Sequence, residues 1–225
     1  MLTAIFNNGH DPATLEQQRA RMVEEQLRSR GIQDPRVLAA MGKVPREEFI
    51  ASQDFRDAYG DHPLPIGAGQ TVSQPYIVAA MVEALELRPT DRVLEVGTGT
   101  GYEAAILAEL AAEVWTIERI AELATRAQEI LARLGRANVH VVHGDGSLGL
   151  PEHAPFDKIL VAAAAPNIPE SLVAQLAEGG RLVVPVGTRY EQQVHVVRKE
   201  SGEIFVTTHD LCRFVPLVGA EGWQP

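Results

Sequence analysis

Val93-Leu94-Glu95-Val96-Gly97-Thr98-Gly99-Thr100-Gly101 is an apolar run carrying one acid that passes into three glycines spaced by two. An Ala-rich segment, Tyr102 to Ala112, follows it. Glycine is required where backbone turns sharply or meets a ligand with no Cβ in the way. A strand, a glycine turn and a helix in that order make a nucleotide site at the strand's carboxyl end. The dinucleotide fingerprint sets its third glycine three residues after the second; here Tyr102 holds that place and Gly101 comes one residue early. The phosphate-loop pattern is excluded as well, because no Gly-Lys-Ser/Thr follows. Glu95, ahead of the glycines, is badly placed for a pyrophosphate and well placed for a cation. The expected cofactor is therefore S-adenosyl-L-methionine, which carries an ammonium and a sulfonium.

Strands and helices alternate outward from this turn. Strands are expected at 92–96, 113–118, 138–142, 157–162 and 181–186, with helices at 102–112, 120–134 and 169–177 between them. That order predicts an α/β, Rossmann-like, doubly wound and mostly parallel sheet. An antiparallel hairpin, Gln193–Lys199 and Glu203–Thr208 turning at Ser201-Gly202, closes the chain. Upstream, Thr14-Leu15-Glu16-Gln17 has capping-box spacing and opens a helix that Gly31 stops. Asp34-Pro35 opens a second helix and Pro45-Arg46 a third. The run from Tyr59 to Gln74 reads as a long irregular loop, of the kind used as a lid or binding loop. A helix with Pro75 in its first turn follows, burying Ile77, Val78, Met81, Val82 and Leu85. The expected organisation is a flexible leader over 1–13 and one domain over 14–225. Within that domain 14–75 is a helical segment with the loop, and 76–225 a cofactor-binding sheet core.

Two more strand ends carry acids. Glu118 ends the second strand, where one carboxylate can accept from both ribose hydroxyls. Asp145-Gly146 follows the third strand, where the acid can accept from the adenine amino group and the glycine lets backbone approach the ring. The small residues of Asp157 to Pro166 leave room near the methyl donor. The seven histidines are scattered, and none has metal-ligand spacing with another His, Cys or carboxylate. No Cys–His or Gly-x-Ser-x-Gly nucleophile arrangement is present.

The 225 residues suit one domain with a small accessory segment. A formal charge of −10 argues against nucleic acid, whose backbone needs clustered Lys and Arg. Arg19, Arg21, Arg28 and Arg30, interleaved with Glu24 and Glu25, read as a solvated helix face. No apolar run reaches the length of a membrane span. One cysteine, Cys212, and no secretory pattern over Met1–Asp11 give the expectation of a reducing cytoplasm.

The run Pro63-Leu64-Pro65-Ile66-Gly67-Ala68-Gly69-Gln70-Thr71-Val72-Ser73-Gln74-Pro75 closely resembles the substrate loop of protein-L-isoaspartate O-methyltransferases. So do the glycine turn, His143-Gly144-Asp145-Gly146, Ala154-Pro155-Phe156-Asp157, Gly179 to Gly187 and Arg213-Phe214-Val215-Pro216-Leu217. The likeness covers the chain from about residue 20 to its end. It implies methyl transfer from S-adenosylmethionine to the free α-carboxylate of L-isoaspartyl residues in damaged proteins and peptides. The ester then collapses without enzyme to a succinimide, which opens partly to aspartate. The resemblance makes Ser73 the active-site residue, with Gln70, Thr71 and Val72 beside it on the substrate. Glu95, Gly97, Thr98, Gly99 and Gly101 flank the donor, Glu118 holds its ribose, and Asp145 and Gly146 contact adenine. Ser73 also suits helix N-capping before Pro75. The acceptor carboxylate, with a pKa of about 4, is already ionised at neutral pH. No base is needed, and the task is to strip water from the carboxylate and align it with the methyl group. A monomer acting without nucleic acid, membrane or metal is expected.

The chain departs from that family at three points. Ser147 stands where an aromatic residue is usual, Glu103 where Gln is frequent, and Ala162 where Thr is frequent. These alter the shape and polarity of the pocket rim. The competing readings are a methyltransferase of a small molecule or RNA, a nicotinamide dehydrogenase, and a non-catalytic isoaspartate sensor.

Overall fold

The computed structural model describes residues 12–51, 55 and 57–224. The expected leader lies outside the described residues up to position 11. Helix α1 (Pro12–Arg21) begins two residues before the capping-box threonine, so Thr14 sits inside it and Pro12 takes the first helical position. The helix continues as a π-helical turn (Met22–Leu27) and a 3-10 turn (Arg28–Arg30), and ends at Gly31 with φ of 101°. Arg21–Glu25 and Arg28–Glu24 ion pairs lie on its exposed side, as expected of a solvated face.

Helix α2 (Pro35–Lys43) is capped by Asp34, whose side chain accepts from the Arg36 N–H at 2.8 Å. The third expected helix is a single 3-10 turn, Arg46–Phe49. The expected irregular loop contains a small hairpin instead, β1 (Leu64–Gly67) and β2 (Gln70–Val72). Ala68 and Gly69 form its two-residue turn, with φ of 50° and 70°. Leu64 pairs with Val72, so this apolar pair faces inward while Pro65 and Thr71 face out. Helix α3 (Pro75–Ala84) follows and buries Val78, Met81 and Val82.

The main sheet has seven strands. In chain order these are β3 (Arg92–Val96), β4 (Glu113–Glu118), β5 (Val139–His143), β6 (Phe156–Val161), β7 (Leu176–Gly187), β8 (Gln192–Glu200) and β9 (Glu203–Cys212). Their spatial order is β5-β4-β3-β6-β7-β8-β9. Pairings from β5 to β7 are parallel, and β7–β8 and β8–β9 are antiparallel. This is the doubly wound, mostly parallel sheet with a terminal hairpin that the sequence predicts. Helices α4 (Tyr102–Ala108), α5 (Ala121–Arg133) and α6 (Glu170–Ala174) connect the strands, α4 and α6 each ending earlier than the sequence suggests.

Side chains alternate across the sheet. Val93, Val114, Leu160 and Val183 pack against α2 to α5 on one side. Leu94, Val96, Ile159, Val161 and Leu182 pack with Leu172 and Leu217 on the other. From β3 the chain winds out to β4 and β5, then returns to place β6 on the other flank of β3. That reversal opens a crevice beyond the carboxyl ends of β3 and β6, where α/β sheets bind ligands.

Candidate active site

The glycine turn lies in that crevice. Gly97, Gly99 and Gly101 take φ of 100°, 55° and 89°, a left-handed path open to glycine at little steric cost. The Gly97 N–H donates to the Ile117 carbonyl at 2.9 Å, and the Gly101 N–H to the Thr98 carbonyl at 2.8 Å. Below the turn, Thr98 Oγ1 and Thr116 Oγ1 are 2.6 Å apart, and Thr116 donates to Glu95 Oε2. Glu95 is fully buried, and burial, with Glu103 beside it, raises its carboxyl well above the usual carboxylate range.

Glu118 is aimed by backbone. Its Oε2 accepts the Gly99 N–H and its Oε1 the Ile120 N–H, both at 2.9 Å. Each oxygen keeps a further lone pair. Glu118, Gly97, Gly99, Gly146 and Gln70 line a cleft of about 70 Å³. Gly146 lines the floor of this cleft.

Asp145 has a different neighbourhood. Its Oδ1 accepts from the Ser147 N–H at 2.9 Å and the Ser147 hydroxyl at 2.7 Å, and its Oδ2 from the Ala220 N–H at 2.8 Å. Burial works to raise this carboxyl, but the Ala220 and Ser147 donors outweigh it and hold the group below the usual carboxylate range. Asp145 thus clamps the C-terminal segment across the end of β5. One lone pair of Oδ2 is left for a ligand. Ser147, small where an aromatic is usual, is fully buried under that segment and accepts the Glu221 N–H at 3.0 Å.

Beside the cleft runs a groove of about 900 Å³ lined by Ser73, Thr71, Tyr76, Arg213 and Val215, among others. The β1–β2 hairpin separates it from the donor cleft: Thr71 and Ala162 line both, as do Val215 and Pro216. A third cavity, of about 40 Å³, joins Thr71, Val72 and Ser73 to Thr98, Thr100 and Glu103. The N-cap of α3 is Gln74, not Ser73, and makes no side-chain capping bond. Ser73 Oγ has no hydrogen-bond partner among the described residues, so the hydroxyl is free to serve the groove.

Arg46 does more than open the turn that Pro45 and Arg46 begin. Its guanidinium is fully buried, donating from Nε to the Ala58 carbonyl and from Nη2 to the Ser73 carbonyl, both at 2.8 Å, and lying over the Tyr102 ring. Burial lowers its pKa from the ordinary value. It ties the N-terminal segment to the backbone of Ser73. Among the described residues no group of three or more His, Cys, Asp or Glu is placed to hold a metal, and no helix is long and apolar enough to cross a membrane.

A glycine turn at a switch point, an acid aimed by backbone at the next strand end and an adjoining groove define the class: a Rossmann-like S-adenosylmethionine-dependent methyltransferase. The buried oxygens that lack partners, on Glu95, Thr100 and Glu103, fit a donor that brings its own ammonium. The protein-L-isoaspartate(D-aspartate) O-methyltransferase family matches residues 17–222, and the chain belongs to that family. It is 59% identical over 207 residues to the protein-L-isoaspartate O-methyltransferase of Koribacter versatilis, covering 92% of this chain and 93% of that one. The Methanoculleus marisnigri relative is 55% identical over 215 residues, covering 95% and 96%. A solved protein-L-isoaspartate O-methyltransferase superposes with TM-score 0.82 at 31% identity, covering 91% of this chain and 67% of that one. A candidate enzyme of the same kind from Plasmodium falciparum, in complex with S-adenosyl-L-homocysteine, gives 0.78 at 29%, covering 89% and 98%.

Proposed function

We propose that the chain transfers the methyl group of S-adenosylmethionine to the free α-carboxylate of L-isoaspartyl residues in damaged proteins and peptides. The resulting ester leaves the enzyme and closes to a succinimide, which opens in part to aspartate. The observation that carries the reading is the hairpin bearing Gln70 to Ser73, which stands between a donor cleft and a peptide-sized groove in a chain of this family.

The bound donor supplies a methyl group activated by its sulfonium; everything else falls to the chain. Glu118 holds the ribose hydroxyls on oxygens already oriented by the Gly99 and Ile120 N–H groups. Gly146 admits the adenine ring, and Asp145 keeps one acceptor site for its amino group. Thr71 and the Ser73 hydroxyl orient the acceptor carboxylate from a hairpin that Val72 anchors inward, while Ala162 leaves space where the two cavities meet. Arg30, Arg189 and Arg213 also line the groove against one acid, Asp210, a balance that favours an anionic acceptor. No group abstracts a proton, because the carboxylate arrives ionised. A firm grip on it would stabilise the ground state, so one hydroxyl suits the reaction better than a cation clamped directly on the carboxylate. The charge of −10 supports proteins rather than nucleic acid as partners, and the single cysteine suits a reducing cytoplasm.

The test is transfer of labelled methyl to a peptide containing L-isoaspartate and to its L-aspartate twin. Labelling of the isoaspartyl peptide alone is expected. Equal labelling of both, or of neither, would overturn the reading, the second outcome leaving the sensor.

A further inference from the structure

Beneath the glycine turn lie two acids that donor binding as described uses only in part. Val93 and Glu95 point to the α3–α4 side of β3, since Leu94 and Val96 pack on the other. Thr116, opposite Glu95 on β4, donates to its Oε2. Glu103, from the first turn of α4, is 8% exposed and lines the cavity of about 40 Å³ together with Thr100 and Ser73. Glu95 Oε1, Glu103 Oε1 and Thr100 Oγ1 have no hydrogen-bond partner among the described residues.

Among the described residues neither Glu95 nor Glu103 has an ion-pair partner. Glu118, at the end of β4, is a third acid facing Glu95. Tyr102 is the neighbouring titratable group on α4, and the guanidinium over its ring, Arg46, is bonded to carbonyls. Thr71 and Val72 of β2, Ser73 just after it and Val78 of α3, which also line this cavity, carry no charge. Two buried carboxylates with no cation between them do not both ionise. Burial pushes Glu103 up to about 8 and, with Glu103 as the next cause, raises Glu95 as well.

We propose that Glu103 joins Glu95 as the counter-charge for the donor's ammonium, the pair carrying a proton in the cation-free cavity and releasing it to solvent when the ammonium enters. This rests on the donor site described above. It also gives a physical sense to the departure at position 103. A glutamine there can donate to Glu95 as a neutral partner, leaving one charge for the ammonium; a glutamate makes the cavity a proton-linked site.

The experiment is calorimetric titration of the whole chain at pH 7 with S-adenosyl-L-homocysteine, in buffers of different ionisation enthalpy, so that released protons are counted. 5′-Methylthioadenosine, which has the adenosyl group but no ammonium, is the paired probe. The expected result is release of a sizeable fraction of a proton with the first probe and almost none with the second. In Glu103→Gln the release falls by at least half while methylthioadenosine still binds. In the unliganded wild type, stability falls as pH rises from about 5 to 8, because the unfolded chain ionises first, and Glu103→Gln flattens that slope. Equal proton counts in both proteins, or equal release with both probes, overturns the inference. If Glu103→Gln does not fold, the wild type decides alone: the affinity for S-adenosyl-L-homocysteine must strengthen by several-fold from pH 6 to 7.5, and a flat profile overturns the inference. A chain that binds neither probe overturns the donor site itself.

Discussion

Replacing Glu118 by glutamine changes one oxygen for an NH₂ and nothing in shape. In the wild type both carboxylate oxygens receive a backbone N–H at 2.9 Å, from Gly99 and from Ile120. An amide has one acceptor, so in either flip an NH₂ faces an N–H. One charge-assisted bond is lost, and the group is buried, so solvent compensates little. A hydrogen bond to a charged group contributes roughly 1.5–3 kcal/mol. The free protein should therefore lose about 2 kcal/mol, a fall of about 4–8 °C in melting temperature for a domain of this size. The ribose loses one acceptor by the same count, which predicts a Kd for S-adenosyl-L-homocysteine weaker by about 10- to 150-fold.

Affinity alone does not separate ribose binding from support of the glycine turn. A cycle does: wild type and Glu118→Gln are each titrated with S-adenosyl-L-homocysteine and with its 2′,3′-dideoxy analogue. If Glu118 holds the hydroxyls, the substitution costs much less with the dideoxy ligand, and the coupling is about 1 kcal/mol or more. Equal losses with both ligands would assign Glu118 to the turn alone. A Kd within twofold of wild type in the folded variant would refute both roles.

Two further substitutions divide the site between its ligands. Ser73→Ala should lower turnover on the isoaspartyl peptide about tenfold, the worth of one hydrogen bond, with donor affinity within twofold; the reverse pattern, by calorimetry and labelled-methyl assay, would move Ser73 into the donor site. Asp145→Ala orphans the Ala220 N–H and the Ser147 donors. It should weaken donor binding several-fold and expose the C-terminal segment to limited proteolysis, whereas unchanged affinity would leave Asp145 a clamp only. Because this carboxyl sits below its ordinary range, its stabilisation is present above about pH 4 and is lost as pH falls through the folded value. Melting curves of wild type and variant should therefore converge under acid.

What the sequence discloses follows the range of the forces involved. Strands 92–96 and 113–118 are legible to the residue, because an apolar run ended by glycine or by a strand-end acid is a local signal. The β1–β2 hairpin is hidden by Pro65, which argues against a strand unless it lies on an edge, as it does here. Arg46 is hidden for the opposite reason. Arginine is almost never fully buried, and only the fold brings the carbonyls of Ala58 and Ser73 around it. Asp145 looks like a ligand residue from its place after a strand, yet its Ala220 donor comes from 75 positions along the chain. Contacts of that kind leave no periodicity to read.

The same distinction separates donor from acceptor. The cleft is built from strand ends, whose order is fixed by the parallel sheet, so the place of Glu118 can be found by counting strands. The acceptor groove is assembled from the hairpin, α3 and the segment after β9, elements distant in sequence that share no period. Thr71 and Ala162 alone touch all three cavities. Both are small and stand where the cavities meet, so a side chain larger than threonine at 162 would narrow the passage between donor and carboxylate.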